Sequence, residues 1–258
     1  MIKQALLPSE KQAIESFLAQ FDLGFSSLDQ SYYMEESGTI IATLSLDHHI
    51  IKGLAIDPSY QGENYASQLV SFAIRMLADQ GIYHYHVFTK AIYQSVFESL
   101  GFRLLAKTDK VAFMEGGVET IESTIAAIRK RMELTWGVDV MKKDIGTLVV
   151  NCNPMTLGHY QLIEQAAKEH DYLLVFVVET DESVFTFKER FSLVYLALRP
   201  FDNILVIPST NYIVSKSTFP SYFLKELNER EREHAKLDAL IFRDYFMPLL
   251  HLSTHRVS

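Results

Sequence analysis

The chain has 258 residues, 48% of them apolar and 22% charged, and carries a net charge of −8 at pH 7. It is long enough for two modest domains, and its negative charge argues against a nucleic-acid binder held by phosphate contacts. No apolar run reaches the ~18 residues that a membrane span needs, and no signal peptide is evident. The single cysteine, Cys152, excludes an internal disulfide and fits a reducing cytoplasm.

The first part of the chain alternates short strands and helices. Helices are predicted over residues 10–20, 69–77 and 91–100, and strands over 32–34, 39–46, 50–56 and 82–88, with two more ending near Met114. Residues 57–66 join a strand to a helix, and the free N–H groups of a helix start suit an anion. The histidines lack the Cys or carboxylate spacing of a metal site, so we interpret them as structural: His48, His49, His84 and His86.

A break at residues 115–117, Glu-Gly-Gly, ends this part of the chain. Apolar residues then recur at spacings of four, three and four, at positions Ile121, Ile125, Ile128 and Met132. This spacing predicts an amphipathic helix, which we interpret as a connector over residues 116–143.

The rest of the chain is organised around a βαβ unit. The apolar run 145–150 predicts a buried parallel strand, a helical apolar face follows it, and residues 172–178 form a second apolar run. Further strands are predicted over residues 203–207 and 237–242. Because ligands of open α/β sheets bind at the carboxyl ends of the strands, residues 151–159 are the predicted binding turn.

This turn, Asn-Cys-Asn-Pro-Met-Thr-Leu-Gly-His, carries groups that suit a phosphate. Gly158 allows close approach of backbone and ligand, and Pro154 stiffens the entry. Thr156 and His159 lie three residues apart, so a helical first turn places them on one side. A hydroxyl, an imidazole and several N–H donors around one point suit a phosphate that gains charge in a transition state.

The turn resembles the T/H-x-G-H signature of the nucleotidylyltransferase superfamily. Together with residues 215–224, Ser-Lys-Ser-Thr-Phe-Pro-Ser-Tyr-Phe-Leu, residues 151–165 are similar to the [citrate (pro-3S)-lyase] ligase family. The resemblance implies an α/β fold: a GNAT-like mixed-sheet domain over 1–115, a helical linker over 116–143, and a Rossmann-like parallel-sheet nucleotidylyltransferase domain over 144–258. Residues 253–256, Ser-Thr-His-Arg, resemble a second phosphate motif with one residue missing, so we expect a shortened carboxyl end.

The resemblance also implies an acid–thiol ligase. ATP with Mg²⁺ would bind over the turn, acetate would attack the α-phosphorus to give acetyl-adenylate and pyrophosphate, and a thiol would displace AMP. That thiol belongs to the CoA-like prosthetic group on the acyl carrier subunit of citrate lyase. The acidic residues 179–182 are more typical of a helix cap than of a Mg²⁺ site, so no metal ligand is assigned.

The same resemblance implies roles for particular residues. His159 and Thr156 are the expected catalytic residues, which would hold the α-phosphate oxygens as charge develops. The residues expected to bind the nucleotide are Asn151, Asn153, Pro154, Met155, Gly158, Lys188, Arg190, Ser215 and Thr218.

The amino-terminal part resembles the GNAT acetyltransferases. Their pyrophosphate loop reads Q/R-x-x-G-x-G/A, which Gln61 and Ala66 match, while Asn64 stands at the first glycine. Asn tolerates a left-handed backbone, so the loop shape is expected to survive. Phe97 stands where many members place a tyrosine, and it cannot donate a proton. We therefore expect Gln61, Gly62, Asn64 and Ala66 to bind a CoA-like arm rather than to support acetyl transfer.

Three alternatives stay open. A nucleotidylyltransferase acting on a phosphorylated small molecule would carry the same T-x-G-H turn. A GNAT-type acetyltransferase would work through residues 1–115 alone. An inactive, truncated homologue would follow from the incomplete second phosphate motif.

Overall fold

The computed structural model describes residues 1–179, 184–213, 223–224 and 226–257, without the side chains of residues 227 and 254–257. The chain divides into two compact units. Unit 1 comprises Met1–Thr120 and Pro220–Glu233, and unit 2 comprises Ile121–Phe219 and His234–Ser258. The domain boundaries predicted from the sequence, after residues 115 and 143, differ from this division and remain a proposal.

Unit 1 contains a seven-stranded sheet in the order β1-β2-β3-β4-β5-β7-β6. Its strands are β1 (Ile2–Gln4), β2 (Gln30–Glu36), β3 (Thr39–Asp47), β4 (Ile50–Ile56), β5 (His84–Lys90), β6 (Arg103–Lys107) and β7 (Val111–Gly117). Its helices include α1 (Pro8–Ala19), α2 (Tyr65–Asp79) and α3 (Gln94–Ser99). All neighbouring strands are antiparallel except β4 and β5, which confirms the predicted mixed sheet.

The helices of unit 1 bury apolar faces against the sheet. Leu69, Ala73 and Leu77 recur four residues apart on α2, and all three are fully buried in one core cluster. Ile14 and Leu18, four apart on α1, belong to a separate cluster that contains Tyr33. Because successive strand residues point to opposite faces, Tyr32 can join the α2 cluster while Tyr33 joins the α1 cluster.

The parallel pair β4 and β5 is short. Only Ile50 and Ile51 of β4 pair with β5, opposite His86 and Val87. The later residues of β4 are not paired with β5 in this register, and a cleft opens beside them. The next loop leads to α2, whose N-cap residue, Asn64, has φ +64°. This left-handed backbone confirms the conformation predicted from asparagine's tolerance of it.

Three histidines of unit 1 lie side by side where β4 begins and β5 runs beside it. The ring centroids of His84 and His86 are 4.4 Å apart, and those of His49 and His86 are 5.2 Å apart. Burial lowers the pKa of His49 to about 4 and moves the pKa of His86 well below its ordinary value, with the neighbouring histidines acting in the same direction. His49 and His86 are therefore neutral at pH 7.

Unit 2 contains a four-stranded parallel sheet in the order β10-β9-β8-β11. Its strands are β8 (Ile145–Val150), β9 (Tyr172–Val177), β10 (Ile204–Pro208) and β11 (Leu252–Val257). Its helices include α4 (Ile121–Trp136), α5 (Leu157–Glu169), α6 (Phe187–Leu198) and α8 (Met247–Leu250), while α7 (Leu227–Ile241) begins in unit 1 and continues into unit 2. All six residues of β8 are buried, as its unbroken apolar run predicts.

The predicted strand over residues 237–242 is wrong. These residues complete α7 and enter a π-helical turn, Phe242–Phe246, that leads to α8. The buried side chains recur mostly four residues apart, which matches one face of a helix: Leu237, Ile241, Phe246 and Leu250. The fourth strand is instead β11, which pairs with β8 and contains the residues expected to resemble a second phosphate motif.

Gly146 and His170 meet at the amino-terminal edge of this sheet. A Cβ atom on Gly146 would lie 2.2 Å from the His170 ring, so a larger residue there would force the ring to move. His170 Nδ1 lies 2.9 Å from Asp144 Oδ2 and 3.3 Å from Ser253 Oγ. Both oxygens share one ring nitrogen, whereas a catalytic triad places serine and carboxylate on opposite nitrogens. Asp144, His170 and Ser253 therefore have a structural role, linking β8, β11 and the end of α5.

Within the described residues, no helix combines the length and the apolar character needed to cross a membrane.

Candidate functional site

The turn after β8 leads directly into α5. Val150 ends the buried strand, Cys152 is buried with φ +48°, and Thr156 is the N-cap residue of the helix. Parallel strands end together at one edge of a sheet, so this turn lies on the carboxyl edge of unit 2. The N–H groups of Leu157 and Gly158, at the start of α5, find no acceptor within the helix and are available to an anion.

Thr156 and His159 form a capping box in which histidine replaces the usual Glu or Gln. The Thr156 N–H donates to His159 Nδ1 at 3.1 Å, and Thr156 Oγ1 accepts from the His159 N–H at 3.4 Å. Thr156 Oγ1 also lies 2.7 Å from Nδ1. A backbone N–H can only donate, so Nδ1 is an acceptor and the neutral ring carries its hydrogen on Nε2. His159 is therefore oriented as an Nε2–H donor.

The protein itself gives no steric reason for glycine at position 158. A Cβ built on Gly158 would find Thr156 Oγ1 at 3.7 Å, an ordinary contact, and would meet no closer atom. The residue is exposed within the first turn of α5, where alanine is favoured over glycine. The space above Gly158 is open to solvent.

Arg190 joins the turn to the neighbouring strand and to the start of α6. Its side chain is fully buried, and Nη1 donates to the carbonyl oxygen of Asn151 at 2.7 Å and to Oδ1 of Asn151 at 2.9 Å. Nη2 donates to the Val178 carbonyl at 3.0 Å, and Nε donates to the Phe185 carbonyl at 3.2 Å. A second link runs from the Phe185 N–H to Asn153 Oδ1 at 3.2 Å.

The lone cysteine lies in the same turn without the features of a nucleophile. Burial raises the pKa of the Cys152 thiol to about 11, an effect that the nearby Arg190 only partly offsets. Cys152 packs in the core cluster that contains residues of α5 and β9. Its thiol stays protonated at neutral pH and plays no part in thiolate chemistry.

The other residues expected around a nucleotide are dispersed along this edge. Pro154 is exposed, Met155 is half-buried against the unit 2 core, and Lys188 is exposed in the first turn of α6. Ser215 and Thr218 lie outside the described residues, as do Thr180, Asp181 and Glu182. Among the residues that are described, no group of three or more His, Cys, Asp or Glu side chains could hold a metal ion.

The cleft in unit 1 has a volume of about 390 Å³. Gln61, Gly62 and Ala66 of the predicted arm-binding loop line it, and Asn64 lies beside them as the N-cap of α2. Phe97 also lines the cleft, which therefore lacks a phenolic proton donor at this position. Lys52 lines it too, with Nζ 3.0 Å from Asp29 Oδ1 and 2.9 Å from Asp47 Oδ2.

Sequence reasoning missed Phe223 in this cleft. Phe223 follows β10 in the chain, is 8% exposed, and lines the cleft formed by β4, β5 and α3. It falls in the family-like segment 215–224, but no local pattern indicates that this segment belongs to unit 1. Lys110 pairs with Glu229 a few residues farther along, and Arg230 donates to the Leu224 carbonyl within the same stretch of chain.

Comparison with known proteins gives matches over both units. Residues 145–258 match the family model described as citrate lyase ligase C-terminal domain, and residues 28–104 match the acetyltransferase (GNAT) domain. The chain is 31% identical over 248 residues to the [citrate [pro-3S]-lyase] ligase of Klebsiella pneumoniae, covering 95% of this chain and 70% of the relative. It is 29% identical to the protein of that name from Haemophilus influenzae, covering 98% and 71%.

Among solved structures, a putative N-acetyltransferase from Lactobacillus plantarum aligns with 46% of this chain and 98% of its own, at 18% identity and a TM-score of 0.39.

Proposed function

The chain belongs to the [citrate (pro-3S)-lyase] ligase family, and on that premise we propose that it activates acetate with ATP and acetylates a carrier-bound thiol. Family membership makes it an ATP-dependent ligase that acts on citrate lyase. The finer assignment is our proposal: acetyl-adenylate is the intermediate, and the acceptor is the CoA-like prosthetic group of the acyl carrier subunit. The observation that carries it is the Thr156–His159 capping box, which leaves Nε2–H as a donor at the carboxyl edge of a parallel sheet.

In the first half-reaction, an acetate oxygen attacks the α-phosphorus of ATP. The new O–P bond forms as the bond from the α-phosphorus to the bridging oxygen breaks, and pyrophosphate leaves with that electron pair. His159 Nε2–H and the free N–H groups at the start of α5 donate to the α-phosphate oxygens as their charge grows. We propose that Lys188 contacts the outer phosphates, while Asn151, Asn153, Pro154, Met155, Ser215 and Thr218 shape the pocket.

In the second half-reaction, the thiol sulfur attacks the acetyl carbon of the mixed anhydride. The C–S bond forms, the C–O bond to AMP breaks, and the thiol proton is lost to solvent or to the departing phosphate. We propose that the cleft of unit 1 holds the CoA-like arm through Gln61, Gly62, Asn64 and Ala66. The cleft's apolar wall, with Leu54, Val96 and Phe97, suits an extended aliphatic and amide chain.

Mg²⁺ accompanies the nucleotide in this proposal rather than occupying a protein site of its own. The described residues offer no group of three or more acidic, histidine or cysteine ligands, so they do not fit a resident metal. Glu179 is the one described member of the acidic residues at the end of β9, and burial raises the pKa of its carboxyl. No step is assigned to the metal.

The direct test is acetate-dependent exchange of labelled pyrophosphate into ATP by the purified chain, without carrier protein. Exchange requires acetate and reversible formation of an acyl-adenylate, so it isolates the first half-reaction. His159→Ala is expected to lower the exchange rate by about 10²–10³, the usual cost of one transition-state donor. His48→Ala, in unit 1 with an exposed side chain, is the matched control and should exchange normally.

The results of this exchange experiment distinguish the proposed ligase from its alternatives. Exchange that needs acetate and fails in His159→Ala supports adenylation at the turn. Exchange that is normal in His159→Ala removes this residue from the mechanism. Formation of a stable dinucleotide instead of AMP and an acetyl thioester, in the presence of acceptor, would replace the ligase with a nucleotidylyltransferase.

A further inference from the structure

Arg190 has the largest side chain among the fully buried residues that the structure describes, and its relative exposure is 0%. Burial of a guanidinium is costly unless its N–H groups find acceptors. Within the described residues, Arg190 donates at least four hydrogen bonds that meet this need, and these four end on oxygens of the protein. The planar guanidinium thus links several backbone segments through hydrogen bonds.

These acceptors have a common location. Asn151 follows β8, Val178 follows β9, and Phe185 precedes α6 by two residues. Arg190 therefore ties the carboxyl ends of two neighbouring strands to the start of the next helix. The hydrogen bond from the Phe185 N–H to Asn153 Oδ1 adds a second link between the turn after β8 and the residues before α6.

We infer that Arg190 is a positioning residue: it holds Asn151 and the first residues of the turn so that Thr156 and His159 meet the reacting phosphate. The inference rests on the proposed function and replaces the direct nucleotide contact expected from the sequence. Its full burial and its backbone acceptors support this role. A misplacement of about 1 Å at a reacting centre can cost about 10²-fold in rate.

Arg190→Lys and Arg190→Met separate positioning from direct contact. Lysine keeps the charge but presents a point donor that cannot span three separated carbonyls, and methionine removes both charge and donors. A positioning role predicts that both variants lower kcat for acetate-dependent exchange by roughly 10–10²-fold. It also predicts that KM for ATP stays within about threefold of the wild-type value. Rescue by lysine, or a methionine variant that raises KM alone, would overturn the inference.

Asn151→Ala tests the same tie if the Arg190 variants do not fold. It removes the Oδ1 acceptor and leaves the Asn151 carbonyl in place. We expect a smaller loss in kcat, and a double variant with Arg190→Lys that loses less than the sum of the two free-energy changes. An unchanged kcat in Asn151→Ala, or strict additivity, would count against positioning.

Asn203→Ala is the matched structural control. Asn203 Nδ2 donates to the Ala167 carbonyl at 2.8 Å, at the opposite edge of the same sheet. This variant should lower Tm without changing kcat or KM. Calorimetric titration with Mg-ATP separates failure of the proposed reaction from failure of the role of Arg190. A wild-type chain that binds ATP but shows no acetate-dependent exchange refutes the proposed reaction. Normal kcat in the Arg190 and Asn151 variants refutes only the role of Arg190.

Discussion

At the scale of single residues, the hydrogen bond from Thr156 to His159 fixes which ring nitrogen can serve the reaction. Nδ1 is occupied by the Thr156 N–H, so any contact with the nucleotide passes through Nε2. A residue that replaces His159 must therefore accept a hydrogen bond from the Thr156 N–H and also present a donor at the position of Nε2. Glutamine can do both, because its Oε1 is a common capping acceptor and its Nε2 remains a donor.

We predict that His159→Gln retains at least about tenfold more exchange activity than His159→Asn, whose shorter amide reaches only the Nδ1 position. Both variants should fold, because each keeps an acceptor for the Thr156 N–H. The comparison uses pyrophosphate exchange rates at saturating ATP, with Tm as the folding control. Equal activity of the two variants would show that no donor is needed at the Nε2 position.

Gly158 offers a test in which stability and activity move in opposite directions. Alanine fits the chain's own structure and favours the helix by up to about 1 kcal/mol, so Gly158→Ala should keep or raise Tm. Its methyl group would nevertheless occupy the space proposed for the phosphate, and exchange should fall at least about tenfold.

Leu157→Ala is the control for this experiment, because the Leu157 side chain is 80% exposed and its removal should change neither quantity greatly. Normal exchange in Gly158→Ala would place the phosphate elsewhere on the edge of the sheet.

The sequence predicted the local geometry of some residues better than that of others, for a physical reason. Thr156, His159 and Asn64 lie in turns whose conformation is set by their own few residues, so local chemistry was enough to predict that conformation. Arg190 has polar partners that come from three separate segments, so its burial could not be seen from the charge of residues 188–190. A local motif reports contacts within one turn, while contacts between segments need the fold.

At the scale of elements, the amino-terminal end of β8 depends on the close packing of Gly146 against the His170 ring. We predict that Gly146→Ala destabilises unit 2 by roughly 1–3 kcal/mol, since the added methyl would overlap the His170 ring. His170→Ala removes that obstacle, so the double variant should be more stable than Gly146→Ala alone. Urea unfolding of the single and double variants gives the coupling, and simple additivity would contradict the overlap.

The misassigned element has an instructive cause. The run from Leu237 to Phe242 is short and apolar, which fits either a buried strand or a buried stretch of helix. The spacing of Leu237, Ile241 and Phe246 decides in favour of a helix, but only when the residues after 242 are included. Six residues are too few to distinguish the helical repeat of about 3.6 residues from the strand repeat of two. The actual fourth strand, β11, is more polar in sequence.

At the scale of the whole molecule, the buried histidines predict that unit 1 is more sensitive to acid than unit 2. His49 has a pKa of about 4 in the fold against 6.5 when unfolded, so the unfolded chain takes up a proton first. The stabilisation is complete above pH 6.5 and is lost as pH falls through about 4. Each such group adds a slope of up to about 1.4 kcal/mol per pH unit in that window.

Hydrogen exchange can test this prediction within one molecule. Protection of β5 amides should fall between pH 6.5 and 4, after correction for intrinsic rates, more than protection of β8 amides in unit 2. His49→Leu should flatten the change in β5, and His48→Ala, which alters an exposed ring, should not. Equal acid sensitivity of the two strands would remove the histidine cluster as its cause.

Both halves of the fold class were predictable because each rests on local periodicity. The mixed sheet followed from strand-and-turn signals, and the parallel sheet from the βαβ pattern around residues 145–178. The return of residues 220–233 to unit 1 was not predictable, because long-range placement leaves no periodic trace in a short segment.

That return has a consequence for how the protein is made. A chain leaves the ribosome amino end first, and domains generally fold as they emerge. The strands of unit 1 are all translated by residue 117, but Phe223, which lines its cleft, is made after β8, β9 and β10. A nascent chain therefore holds an unfinished cleft while residues 118–222 are made. Its full wall is assembled only after β8, β9 and β10 of the second sheet have been made.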